Sequence, residues 1–242
     1  MLTLLKKEYN NFFASPMGYI VIGVFLVLTA LFLWIFPGEY NVLDAGYANL
    51  DGLFYFAPWL YLFLVPAVTM RLFAEERKTG TIELLLTHPI TTTNIIISKY
   101  LAGVLLVLFS LIPTLIYFLS VWLLGDPMGN IDTGGTWGSY IGLFFLAAVY
   151  VSIGLFSSSL TDNQIISFIV AAVLCFFIYA GFDIISGLAS SGSSQSMIAS
   201  LGINAHYESM SRGVIDSRDI VYFVVVTILF LFFTKEVLDR KK

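Results

Sequence analysis

The side chains able to do chemistry in this chain are few and scattered. It has two histidines, His88 and His206, one cysteine, Cys175, and sixteen carboxylates. A zinc site needs several Cys, His or carboxylate ligands converging on one point. His88 stands alone before Pro89, and His206 has only Glu208 two residues on. That is the pattern of a hydrogen-bonded loop residue rather than a metal ligand. Cys175 lies inside an apolar run, so one chain forms neither a disulfide framework nor a thiolate site. There is no G-x-x-x-x-G-K-[ST] phosphate loop, no H-E-x-x-H, and no Ser/His/Asp or Cys/His arrangement. Asp183 is the single ionisable residue deep in an apolar run, near enough to its outer end to snorkel or cap. No Asp/Glu/His relay crosses the apolar segments, which disfavours an ion-driven carrier. Catalytic residues, metal ligands and cofactors are therefore expected to be absent from this chain.

The remaining charge between the chain's ends is concentrated in Arg71–Ile90, "RLFAEERKTGTIELLLTHPI", set directly between two long apolar runs. Arg71–Thr79 is expected to prolong the preceding helix, with Glu75, Glu76, Arg77 and Lys78 in solvent. Gly80 permits a break. Over Thr81–Leu86, Ile82, Leu85 and Leu86 group at helical spacing while Glu83 points away, and Pro89 stops the turn. The product is a short amphipathic helix held between two spans. Periodicity leaves two readings open: an element presented to a partner, or an interfacial helix lying on lipid.

The elements that carry this stretch follow from composition. The chain is 58% hydrophobic and 12% charged, with a mean hydropathy of +0.89. Soluble domains carry about 25% charged residues. Half that charge, with apolar runs close to the length that crosses a bilayer, predicts an all-α, polytopic membrane protein forming one domain over 1–242. Residues 1–16 read as an interfacial helix or, equally, as a tail with two orienting lysines. No small-residue cleavage site follows the first span, which is expected to remain. Six spans are predicted: 17–36, 53–70 with Pro58 and Pro66 inside, 94–124 with Pro113 inside, 140–160, 165–188 and 220–233. The "TTTN" before the third offers N-cap acceptors. That third span is too long for the hydrocarbon core, so it tilts or stands with Lys99 among the headgroups. Residues 71–93 form the loop between spans two and three, and 189–219 the last outer loop.

Lysine and arginine positions orient the bundle. Lys6, Lys7, Arg71, Arg77, Lys78, Lys99, Lys235, Arg240, Lys241 and Lys242 fall at the termini or beside the second connection, while the 1–2 and 3–4 loops carry no base. Both termini are thus expected in the cytoplasm. Trp34, Trp59, Trp122 and Trp137 then fall toward the outer ends of the first four spans, as an interfacial belt requires. Gly134, Gly138 and Gly142 give small-xxx-small spacings that permit close helix packing, although loop flexibility near a span end better accounts for the first two.

The segment "LFAEERKTGTIELLLTHPI" resembles the connection between spans two and three of type 2 ABC exporter permeases. "SPMGYIV" at span one, Lys99 opening span three and "HYESMSRGVIDSRDIVYF" before span six extend the likeness over the whole chain, closest to the family's gliding-motility branch. The resemblance implies a coupling helix that docks on a separate ATP-binding cassette subunit, with Glu75, Glu76, Arg77, Gly80, Thr81, Glu83, Leu85 and Leu86 at the contact. It implies a re-entrant outer segment before span six, where His206, Glu208, Arg212, Gly213 and Asp216 would form an outer gate. The "SSGSSQS" insert departs from that pattern. ATP and Mg would be held by the partner subunit, in the inner membrane of a bacterium. A second permease chain, identical or related, and an auxiliary periplasmic or membrane subunit are further expected partners, besides the lipid bilayer; nucleic acid is not. The alternative is a non-transporting scaffold that anchors a motility or secretion assembly.

Overall fold

The computed structural model describes residues 2–83, 91–188 and 192–240, and the regular structure among them is helical, with no strand. A first helix, α1, covers Leu2–Ala14. Six long helices follow: α2 (Pro16–Ile35), α3 (Asp51–Lys78), α4 (Thr92–Leu124), α5 (Thr133–Leu160), α6 (Gln164–Ser186) and, last in the chain, α9 (Ser217–Asp239). Two short helices, α7 (Gly192–Ala199) and α8 (Ile203–Ser211), lie before α9. Each long helix is apolar and long enough to cross a bilayer. The six expected spans are present, and the chain is a multi-pass membrane protein.

Polar side chains set the helix starts. The Thr91 hydroxyl accepts from the Asn94 N–H, as the "TTTN" run predicts. Asp132 receives the Gly135 N–H at the start of α5, and Asn163 receives those of Ile165 and Ile166 at the start of α6. Asp216 receives the Arg218 N–H and opens α9. That helix is 23 residues long, well beyond the apolar stretch 220–233. Hydropathy marks what lipid covers; the backbone stays helical through the polar residues at both ends. At Pro113 the helix tightens into a 3₁₀ turn over Ile112–Thr114. Polar groups there are met inside the bundle: the Thr114 hydroxyl donates to the Leu111 carbonyl at 2.7 Å, and the Tyr140 hydroxyl to the Thr114 carbonyl at 3.0 Å. A lipid-embedded kink needs such internal partners.

Helix α5 is the central post. Within its most apolar window 78% of residues are buried, against 17% for α9, and α3, α4, α6, α8 and α9 all pack on it. Val27, Val173, Val225 and Ile228 on the outer helices face outward. The N-terminal helix, the start of α4 and the end of α9 share one face, joined by Glu8 to Lys99 and by the Thr92 hydroxyl to Asp239 at 2.8 Å. This is called the handle face below.

On the far face, α8 packs on α5 and touches α9 and the end of α6. Ile203, Tyr207 and Met210 are buried, and the Tyr207 hydroxyl donates to the Phe54 carbonyl at 2.8 Å. A side chain at Gly138 would run into the Met210 carbonyl, and one at Gly142 would press on Tyr207 and Met210. The flexibility reading of Gly138 is therefore replaced: it lies within α5 and lets α8 approach the helix backbone. Gly138→Leu should destabilise the protein by about 1–3 kcal/mol, as overpacking does. The thermal unfolding midpoint in detergent should fall for Gly138→Leu and not for Gly23→Leu, whose added side chain starts in open space.

Candidate functional site

The charged stretch is the end of α3. The helix breaks at Met70 and resumes as Arg71–Lys78, four residues after Pro66. Restarting a helix inside a bundle leaves backbone N–H groups without carbonyls. Ser158 of α5 meets them. Its Oγ accepts from the N–H groups of Phe73 at 2.9 Å and Ala74 at 3.0 Å, and donates to the Met70 carbonyl at 2.8 Å. Leu72, Phe73 and Ala74 are buried. The handle is thus sewn to the central post rather than projecting freely.

Its other side holds the most demanding polar group in the molecule. Lys99, seven residues into α4, has a side chain only 1% exposed. Its Nζ donates to Glu8 Oε1 at 3.1 Å, Glu76 Oε1 at 2.9 Å and the Leu72 carbonyl at 2.8 Å. An ammonium has three N–H groups, and three acceptors meet them. The Phe73 ring lies 5.2 Å from Nζ. Lys7 stands at the mouth, 3.9 Å from Glu8 and 4.0 Å from Glu76, which sets two ammoniums against two carboxylates. Breaking a buried ion pair on one side typically destabilises by roughly 3–5 kcal/mol, because the orphaned charge stays buried.

This arrangement corrects two expectations. Glu76 is turned inward to Lys99 rather than solvated, leaving Glu75 and Lys78 exposed beside a half-buried Arg77. Lys99 is buried in protein rather than standing among headgroups. The tail reading of residues 1–16 also fails for Leu2–Ala14, which are helical, with Leu4, Glu8 and Phe12 buried on one stripe. Between α1 and the handle lies an open cleft of about 510 Å³, lined by Lys7, Asn11, Ser15, Arg71 and Glu75 among others.

Gly80 ends the handle. It has a φ of +72°, donates its N–H to the Arg77 carbonyl at 3.1 Å, and has no atom near the position of a Cβ. Positive φ is cheap only for glycine, which is how many helices terminate. Beyond it, residues 81–83 are helical, with Thr81 and Glu83 exposed. The Thr81 hydroxyl reaches back to that of Thr79 at 2.9 Å. Leu85 and Leu86 lie outside the described residues, with the second half of the helix expected over Thr81–Leu86.

On the far face the candidate gate residues divide. The two nitrogens of His206 face Asp219 Oδ1 at 2.7 Å and the Ser200 carbonyl at 3.0 Å, and its ring stacks on Tyr222 at 3.9 Å. Glu208 accepts from Asn204, whose amide also donates to Asp183 at 3.0 Å, so α8 ties the end of α6 to itself. Gly213, at φ +82°, nests against Gly134 and Gly135, and Asp216 caps α9. Arg212 is the C-cap of α8 and is exposed. Glu8, Lys99 and Ser158 are site residues that sequence reasoning did not assign. The signals were a lysine in the opening turns of an apolar helix, where burial requires an internal partner, and the run Ser157–Ser159 in an otherwise apolar span.

Residues 2–234, nearly the whole chain, match the family model described as ABC-2 family transporter protein. No curated protein matches the chain.

Ser158→Ala would leave two buried backbone N–H groups unpaired, at about 1–3 kcal/mol of stability. Thermal unfolding in detergent should show the drop. Faster amide exchange at Phe73 and Ala74 than in the parent protein would assign it to the handle.

Proposed function

The chain belongs to the ABC-2 transporter family, the membrane permease component of an ABC transporter that works with an ATP-binding cassette subunit, and from that premise we propose that the segment beyond Gly80 is where that subunit docks. Glu75, Arg77, Gly80, Thr81, Glu83, Leu85 and Leu86 are the contact residues in this reading. Glu76 acts behind them, through Lys99. The observation that carries the reading is a contrast of fixity: Leu72–Ala74 and Glu76 are bonded into the bundle, whereas Gly80, at φ +72°, has no atom within 4 Å of a Cβ position. A partner seated beyond Gly80 pushes on a stiff block, which is what moving a membrane domain requires.

The handle face is the cytoplasmic face in this proposal, in keeping with the lysine and arginine distribution. The membrane is the bacterial inner membrane, and ATP with Mg binds on the partner. Transport runs outward, and α7 and α8 form the re-entrant outer segment. The outward-facing apolar sides of α2, α6 and α9 are available to lipid and to a second permease chain. The likeness of "SPMGYIV" and "HYESMSRGVIDSRDIVYF" to the gliding-motility branch supports a role in gliding.

Replacing Glu75, Arg77 and Glu83 together by Ala should reduce co-purification of the ATP-binding subunit at least about tenfold, a change of 1.4 kcal/mol, with membrane insertion intact. Undiminished co-purification would refute the docking surface. Gly80→Pro tests the joint separately, because the ring holds φ near −65°. Insertion should persist while ATP hydrolysis no longer supports gliding or export. Normal gliding or export in that variant would refute the joint.

A further inference from the structure

Lys99 ties together three parts of the chain that meet nowhere else in this way. We propose that the cluster of Lys99, Glu8 and Glu76 makes α1 part of the moving unit, so that a displacement entering at the handle also reaches α2, through α1, and α4, through Lys99. The proposal rests on the docking reading above and assigns Lys99 as a positioning residue for coupling.

Two joints hold α1 to the handle, one toward each end of it. At the outer end, Glu8 and Glu76 share the Lys99 ammonium. At the inner end, Arg71 Nη2 donates to the Ser15 hydroxyl at 2.8 Å, with its guanidinium 5.4 Å from the Phe12 ring. Arg71 and Glu76 are five residues apart, about 7.5 Å along a helix. One joint would leave a pivot, whereas two that far apart fix orientation as well as position. Apolar contact through Leu4 and Phe12 adds adhesion without fixing register; directional bonds to a saturated ammonium fix it.

The link from α1 into α2 is equally short. Ser15 alone separates the two helices, its N–H still bonded to the Asn11 carbonyl at 3.2 Å, with Pro16 as the first residue of α2. Gly18 lies directly under the Phe12 carbonyl, where a Cβ would stand 2.6 Å from the oxygen. No slack exists there, so α2 follows α1. Lys99 is itself a residue of α4, so α4 follows the handle without an intermediary.

The test measures distances between spin labels in the complex with the ATP-binding subunit, nucleotide-free and trapped with ATP and vanadate, and also in the permease alone. In a Cys175→Ser background, Lys6→Cys paired with Lys78→Cys reads α1 against the handle. Lys6→Cys paired with Val214→Cys, in the exposed connection between α8 and α9, reads α1 against the far face. With Lys99 present, the first pair should keep one narrow distance in every state while the second shifts on trapping. Lys99→Met should broaden the first and abolish the shift of the second, and Lys99→Arg, which keeps a charged donor, should restore both. If Lys99→Met does not survive purification, Glu8→Gln carries the same comparison. A first-pair distance that changes on trapping in the parent protein, or a second-pair shift that persists in Lys99→Met, would overturn the proposal. Absence of the ATP-binding subunit from the purified complex would refute the docking reading instead, while a broad first-pair distribution in the permease alone would refute the clamp.

Discussion

A fully buried ammonium is the constraint on which the handle face depends. Taking a lysine out of water costs several kcal/mol even after relaxation, and Lys99 is tolerated only because three acceptors surround its Nζ. Those acceptors come from α1 and from the end of α3, so the chain must bring both to the start of α4 before that charge is satisfied. The apolar layer beneath, including Leu4, Phe12, Leu72, Phe73, Ile95 and Leu238, supplies cohesion. The ammonium supplies the register.

The same logic repeats with a neutral group on the opposite side of the handle. A break at Met70 frees backbone donors in a place water does not reach, and the Ser158 hydroxyl takes two of them. Helix α3 is therefore bent without being loose, since the bend is held by a residue of the most buried span. Stiffness on both flanks gives Gly80 its significance. A glycine at φ +72° is an ordinary helix stop in isolation; here it ends a block pinned to α1, α4 and α5.

The far face is built by different means. Small residues of α5 admit α8 to backbone contact, and Tyr207 reaches through to α3. His206, Asp219 and Tyr222 close the link to α9, while Asn204 joins Asp183 and Glu208. The two faces of the bundle thus differ in kind: buried charge and a backbone staple on one, close packing with a polar latch on the other.

The number of spans, the cap before the third of them and the location of the charged handle were legible in the sequence. These depend on local properties: hydropathy over a span's length, side-chain acceptors at helix starts, a glycine after a charged helix end. Gly80 was legible as a break for the same reason. The sequence left the partners of Lys99 open, because Glu8 and Glu76 are 91 and 23 residues away and no periodicity links them. Glu76 read as solvated because its neighbours are charged, and nothing local singled out Ser158. Only the tertiary structure decided these, since a buried polar group is defined by what the fold places around it.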